Sequence, residues 1–571
     1  MSDALRLFGT EVPDTPFERI TLGPLSFSLQ DGALRHIRMG DQELIRGIAF
    51  LVRDRDWGTL SPRLTEVSRQ IGETVELVYE AGFEQNGARL DARLEISAST
   101  TGLCFKATGQ ASGGFETNRA GFTVLHPART AGSPAVVRHS DGTEQSACFP
   151  VLIDPWQPFM DITRLSHQAG AWSVTCAFEG DTFEMEDQRQ WGDASFKTYN
   201  RPLALPWPYV LEDGAPFAQS VELTWRKAGD VFVPPAETLS RGAVFPQTAL
   251  VLTAEDALRL ARAPQDLALV LPQRLLCHVD AALGGVDRQV AAFAGLQKAV
   301  PDIAYDLELI CLLEQAPEEE LSALAAMMRA EGLVPDSVLI CPSVDRQSTP
   351  PGSEWPDCPP LEDIHRAASK AFAGALHGGG MVSFFPELNR KRPPVEMLDF
   401  VSHGLCPIVH AADDLSVMET LETISHITRS AQAIIGERAY RIGPATIAMR
   451  QNPYGTRTIP NPEQRRLCMA DDDPRHRGAF GAAYVIGLAT ALASAGAVVW
   501  TPAGFYGPRG VHPDWPVTKA IKVLSGLAGA PVIAAQIEGG LAKLHLGDTR
   551  LTANLTPVQN GDLGPYEWTQ T

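Results

Sequence analysis

Along the first 225 or so residues, apolar and polar side chains alternate. RITLGPLSFSLQDG (19–32), ALRHIRMG (33–40), ETVELVYEAGFEQ (73–85), ARLDARLEISAST (88–100) and SVELTWRKAG (220–229) all keep this period, with Gly, Asp or Asn at the breaks. A period of two marks strands with one buried face, and several in succession predict a large antiparallel β-sandwich. The pattern stops at FVPPAETL (232–239), which reads as a connection. From about residue 250 short apolar runs alternate with helical periods. RLLCHVD (274–280), IAYDLELICL (303–312), SVLICPS (337–343), MVSFFPEL (381–388), LDFVSHG (398–404), CPIVHA (406–411), ATIAMRQ (445–451) and AVVWTPA (497–503) are the predicted strands. Continuous apolar strands separated by helices imply a parallel sheet covered on both faces. Seven or eight such units in about 280 residues favour a (β/α)8 barrel over a doubly wound sheet. The tail PVIAAQIEGGLAKLHLGDTRLTANLTP (531–557) returns to strands, either as a separate module or as a completion of the sandwich. The expected fold class is therefore multidomain, β plus α/β. An N-terminal antiparallel β-sandwich spans 1–230, a linker 231–249, a central TIM-like barrel 250–530 and a short C-terminal β module 531–571.

Composition narrows the partners. The chain has 571 residues, with 68 acidic against 48 basic side chains. Without an extended basic cluster, neither nucleic acid nor an anionic membrane surface is an expected partner. Nine cysteines, odd in number and without a CxxC pair, fit buried thiols in a reducing compartment. No apolar core of signal-peptide length opens the sequence, so a cytoplasmic location is expected. The stretch from Gly478 to Pro508 carries no charge and is long enough to span a bilayer. Its Gly/Ala content and missing flanking anchors instead read as a buried helix followed by a buried strand.

Reactive groups of a barrel come from the C-terminal ends of its strands and the loops that follow. That rule selects Asp280, Glu308, Glu387 with Asn389, His403, His410 with Asp413 and Asp414, Arg450 with Asn452, and Tyr506. The set suits a polyhydroxylated ligand, although each member has a plainer role open to it as a helix cap or loop ion pair. Glu387 stands out because it follows an apolar strand directly and has no obvious capping target. The densest polar tract lies outside the barrel, FEMEDQRQWGDASFKTYNR (183–201). Alternation there sets Asp187, Arg189, Trp191, Asp193, Ser195, Lys197 and Tyr199 at every second position. Two readings compete: a solvated edge strand with paired charges, or a segment over the barrel mouth. In the second, Trp191 stacks on a sugar face while Arg189 and Lys197 hold oxygen or negative charge. Standard motifs are missing, among them the GxSxG elbow, the HExxH and Cys/His zinc patterns, the P-loop and the dinucleotide GxGxxG. His377-Gly-Gly-Gly reads as a turn before a strand.

The block FEMEDQRQWGDASFKTY (183–199) and its continuation RPLALPWPY (201–209) resemble the D-apionate lactonase family of branched-pentose catabolism. GALRHIRMGDQELIRGIAFLVRDRDWGT (32–59), LHPART (125–130), SFFPELNRKRP (383–393) and IVHAADDLSVMETLETI (408–424) agree, so the resemblance covers most of the chain. It implies hydrolysis of D-apionolactone, a small sugar lactone, to D-apionate, and it carries over no residue-level mechanism. The barrel alone suggests a neighbouring class. A Glu after the fourth strand resembles the acid/base of retaining glycosidases, which need a second carboxylate about 5 Å away. The expected seventh strand offers Arg450 and Asn452 but no acid, so Glu308 or Asp413 would have to supply it. A non-catalytic carbohydrate-binding protein is the third reading.

For lactone hydrolysis the expected base is Glu387, activating water. His410 or Tyr506 protonates the departing ring oxygen, and Arg450, Asn389 or Lys197 stabilises the oxyanion. Asn452, Asp413, Asp187, Arg189 and Trp191 complete the expected substrate contacts. No cofactor is expected. A hard divalent cation leaves no spacing signature and stays open, with Asp413 and Asp414 as its candidate ligands. A homo-oligomer also stays open.

Overall fold

The computed structural model describes residues 2–55, 57–234, 242–453, 455 and 457–571. The chain forms two compact units, Thr15–Arg189 with Ala194–Ala236, and Met1–Asp14 with Gln190–Asp193 and Glu237–Thr571. The expected linker falls partly on residues 235–241, which lie outside the described residues.

The first unit is a sandwich of a seven-stranded and a nine-stranded sheet, and its neighbouring strands pair antiparallel. The period-two reading holds residue by residue. Along Val75–Gln85 the odd positions Val75, Leu77, Tyr79, Ala81 and Phe83 are buried and Glu76, Glu80 and Glu84 are exposed. Fully buried Phe27, Phe83, Phe105, Phe122 and Phe149 fill the core. Central strands depart from that period: Arg119–Pro127 is buried at eight of nine positions, and Ser195–Tyr199 at all five. The tract that leads to it does not run as one alternating strand. A short strand, Glu184–Glu186, is followed by a 3-10 turn over Gln188–Trp191 before the chain pairs again. The solvated edge strand is thereby replaced by interior chain.

The second unit holds a closed barrel of eight parallel strands. These are β1 (Gln247–Leu252), β2 (Arg274–Asp280), β3 (Ala304–Cys311), β4 (Ser337–Pro342), β5 (Leu376–Phe384), β6 (Phe400–Leu405), β7 (Ala439–Ala445) and β8 (Ala497–Gly504). β1 pairs with both β2 and β8, which closes the ring. Three expectations move. CPIVHA is a turn after β6, not a strand. β7 ends where ATIAMRQ begins, so Arg450 sits in the following loop. FFPELN is the start of a short helix, Phe385–Lys391, so Glu387 follows the fifth strand and lies in a first helical turn. His377-Gly-Gly-Gly is part of β5, and its glycines answer to β6. A Cβ on Gly378 would meet the Phe400 ring at 2.1 Å, and one on Gly380, at φ +115°, would meet the Ser402 carbonyl at 2.1 Å.

The uncharged stretch resolves as expected into the buried helix Ala479–Leu492 and β8. Among the described residues no helix is long and apolar enough to cross a membrane. The tail forms its own antiparallel sheet of four strands and joins the barrel's unit, not the sandwich. The helix Asp3–Phe8 belongs to that unit too, with Phe8 against Phe480 and Tyr566 at ring distances of 6.2 and 5.6 Å.

Candidate active site at the barrel mouth

Alternation along β3 turns Asp306 and Glu308 to the barrel interior, where they meet different partners. Asp306, nearer the start of the strand, binds Arg274 at 2.6 and 2.7 Å, with Arg441 at 3.1 Å and Ser337 beside it. This charged layer closes the bottom. The cavity lined by Asp306, Glu308, Ser337, Arg441 and Thr501 measures about 20 Å³, room for one water at most. That cavity is too small for a sugar.

Glu308 holds the floor of that mouth. His278, in β2, lies with Nδ1 2.6 Å from Glu308 Oε1. Arg450 donates Nη1 to Oε1 at 2.6 Å, Nη2 to Oε2 at 3.1 Å, and Nη2 to the Val382 carbonyl at 2.9 Å. Burial works to raise the Glu308 carboxyl, but the Arg450 charge and the His278 hydrogen bond overcome it and hold it at about 2. Glu308 is thus a permanent anion. With Glu308 anionic, the imidazole donates from Nδ1 to its carboxylate, which turns Nε2 away from that oxygen. His278 is absent from the residues expected from sequence. The strand-end rule selected Asp280, yet Asp280 is consumed by Arg346 at 2.6 Å and by the Ala282 amide at 2.9 Å. The same alternation that turns Glu308 inward also turns His278 inward, and that was the available signal.

Glu387 occupies the first turn of Phe385–Lys391, where the helix dipole favours an acid. Its Oε1 accepts from Ser348 Oγ at 2.9 Å, the Thr349 amide at 3.3 Å and Arg390 at 3.2 Å. Burial pushes its carboxyl above the usual range, against the pull of Arg390 and the loop donors. The Arg390 guanidinium lies 6.0 Å from the centre of the Trp191 ring. Trp191 meets His410 edge to face at 6.0 Å and 90°, and His410 Nδ1 is 2.7 Å from Asp193 Oδ2. Gln190–Asp193 belong to the barrel's unit although strands of the sandwich flank them in sequence. Glu387, Arg390, Trp191, His410 and Asp193 thus form one connected run, and Glu308, His278 and Arg450 form another.

The remaining expected residues are engaged elsewhere. Tyr506 donates to Asp266 at 2.7 Å beneath Arg259, and burial raises its hydroxyl. Asn389 is buried and accepts from Arg392 at 3.3 Å, while Asn452 donates to the Arg457 carbonyl at 2.8 Å. Asp413 caps the helix Asp414–Glu419 through the Ser416 amide at 2.9 Å, and Asp414 binds Arg466 at 2.9 Å and Arg475 at 3.1 Å. Both carboxylates are engaged by protein donors. His403 bonds Tyr440 at 2.8 Å and the Gly404 carbonyl at 2.9 Å. Asp187 and Arg189 form a fully buried pair at 2.7 Å inside the sandwich unit, and Lys197 pairs there with Glu186. Those side chains serve the interior of the sandwich.

Among the described residues, three ligand-type atoms gather at His126, His167 and Cys176. Every ring nitrogen there is taken. His126 bridges Thr198 at 3.0 Å and His167 at 3.2 Å, and His167 reaches the Gln168 carbonyl at 3.3 Å. Burial lowers both imidazoles, His167 to about 4. The cluster closes on itself as a neutral hydrogen-bonded chain.

Residues 5–228 match the family model of the D-apionate lactonase N-terminal domain, and residues 248–530 that of the D-apionate lactonase TIM barrel domain. The D-apionate lactonase of Brucella anthropi is 44% identical over 550 residues, covering 92% of this chain and 90% of that protein. Solved structures give more distant likenesses. The α-galactosidase of Lactobacillus brevis is 11% identical over 96% of this chain and 90% of its own, with a TM-score of 0.30. A putative aldose 1-epimerase of Escherichia coli K12 is 10% identical over 38% of this chain and all of its own, with a TM-score of 0.28.

Proposed function

This chain belongs to the D-apionate lactonase family, and we propose on that premise that it hydrolyses the ring ester of D-apionolactone to give D-apionate. The observation that carries a mechanism is the 2.6 Å contact between His278 Nδ1 and Glu308. Held through Nδ1 by a permanent anion, the imidazole presents Nε2 as the base. His278 Nε2 removes a proton from water as its oxygen attacks the lactone carbonyl. The cluster then holds an imidazolium and a guanidinium against one carboxylate, so its net positive charge faces the new oxyanion. Glu387, whose carboxyl burial raises, gives its proton to the ring oxygen as the C–O bond breaks. One water is consumed, and the hydroxy acid leaves.

This assignment moves Glu387 from base to acid and replaces Tyr506, which is committed to Asp266. The glycosidase reading is not favoured. Its nucleophile must be a free carboxylate, and both oxygens of Glu308 are bound by Arg450. The non-catalytic reading is not favoured either, since a close relative bears an enzyme's name. We place the enzyme in the cytoplasm, a setting supported by nine cysteines that are all free.

The test is hydrolysis of D-apionolactone followed by acid release at constant pH. His278→Gln should lower kcat by about 10²–10⁴-fold. A loss below about tenfold removes His278 from the base role. Release of nitrophenol from aryl glycosides, with no lactone opened, removes the lactonase reading itself.

A further inference from the structure

The tract RPLALPWPY (201–209) continues the block on which the family resemblance rests. It lies in the sandwich unit and, with Trp57 and Asn118, lines one cleft. Trp57 and Trp207 meet there edge to face at 5.3 Å, and Trp207 is 40% exposed. Behind Trp57 lies Arg119. Its guanidinium sits 5.4 Å from the Trp57 ring centre and 4.0 Å from that of Tyr199. It is 93% buried by complement of its 7% exposure, and Nε has no hydrogen-bond partner. Among the described residues no acceptor or carboxylate pairs with this side chain. Arg201, half-buried, is stacked on Tyr209 at 4.4 Å with Nε unpartnered. Asn118, 4% exposed, donates Nδ2 to the Arg55 carbonyl at 3.0 Å and leaves Oδ1 unpartnered.

The carboxylates near them are occupied. Glu184 accepts from Tyr199 at 2.6 Å and from the Leu203 amide at 2.9 Å, Glu186 pairs with Lys197, and Asp181 accepts from Asn200 at 2.9 Å. A buried guanidinium without a counter-charge is costly, and structures keep one where an anion will come. Two guanidiniums suit a planar carboxylate, flat indoles suit the C–H faces of a sugar carbon chain, and an amide oxygen suits a hydroxyl.

We propose that Arg119, Arg201, Asn118, Trp57 and Trp207 form a binding site for a polyhydroxylated monocarboxylate, a sugar acid. The ligand enters as Trp207 turns off Trp57, and its carboxylate supplies the charge that, among the described residues, no side chain gives Arg119 or Arg201. This binding site does not depend on the lactonase reading.

The experiment is titration calorimetry and tryptophan fluorescence on the full-length protein without turnover. D-Erythronate, a four-carbon sugar acid, is the probe, with erythritol and inorganic phosphate as comparisons. Saturable binding with a change in tryptophan emission is expected for D-erythronate. Arg201→Gln should weaken it at least about tenfold, the effect of losing a charge-assisted hydrogen bond. Arg119→Met should abolish binding while raising the ligand-free Tm, because it removes an unpaired buried charge. A fall in that Tm marks Arg119 as a structural stack and overturns the proposal. So does wild-type binding weaker than about 10 mM, binding indifferent to both substitutions, or phosphate and erythritol binding as tightly as the acid.

Discussion

Asp193 and His410 stand 217 positions apart in the chain and 2.7 Å apart in the fold, Oδ2 to Nδ1. The pair sets the edge of the imidazole against Trp191, and Trp191 in turn faces the arginine that binds Glu387. Four contacts thus run from Asp193 to the proposed proton donor. Asp193→Asn and His410→Gln should each lower kcat/KM about ten- to a hundredfold through misplacement of Glu387. The double variant should be no worse than either single one, which a double-mutant cycle on lactone hydrolysis will read.

Glu308 predicts how stability varies with acidity. Its folded carboxyl is held at about 2 against an ordinary 4.5. A lowered carboxyl stabilises the fold above its unfolded value and loses that contribution as pH falls towards the folded one. Glu308→Gln should therefore lower Tm at pH 7, where it leaves Arg450 without its counter-charge. The gap to wild type should narrow from about pH 5 downward. A gap that stays constant over that range contradicts the assignment.

Glu387 should behave in the opposite sense. Burial raises its carboxyl, so ionisation costs stability above the folded value and the cost is relieved as pH falls. Glu387→Gln also removes a counter-charge from buried Arg390, so its Tm should lie below wild type by a gap that shrinks as pH rises. It should also lower kcat about 10²–10⁴-fold and remove the alkaline limb of the rate profile.

Much of this molecule was legible in its sequence, and the losses have physical causes. Val75–Gln85 and its neighbours face a core on one side only, so their pattern states both their structure and their facing. β7 is buried at six of its seven positions, and a strand covered on both faces carries no period to mark where it ends. That is why the strand assignment slid onto ATIAMRQ. The same weakness hid the helix under FFPELN, where an apolar run continues past the strand. In the 183–201 tract, alternation in the letters was cut by a 3-10 turn, which separated Trp191 and Asp193 from Asp187, Arg189 and Lys197. The pairing of Glu308 with Arg450 joins positions 142 apart in the chain, which no local pattern announces.

Residues with satisfied local roles should prove dispensable for turnover. Tyr506→Phe should change kcat by no more than about twofold, well short of an acid–base contribution. Asp413→Ala should cost about 0.5–2 kcal/mol of stability as a lost helix cap and leave KM unchanged. Exhaustive chelation should leave activity intact, since Asp413 and Asp414 are spent on the cap and on Arg466 and Arg475. A tenfold loss that added magnesium or calcium restores would reverse this.

The packing of Phe8 against Phe480 and Tyr566 has a bearing on biosynthesis. Residues 2–14 emerge from the ribosome early, yet the surfaces that receive them are translated more than 450 residues later. Chain order lets the sandwich complete itself while the barrel is still being made. The early segment has to be kept uncommitted through that interval, and it docks only after Tyr566 is out. A bulky fusion placed on this segment should therefore slow the last stage of maturation, leaving a finished sandwich attached to an enzyme that matures late.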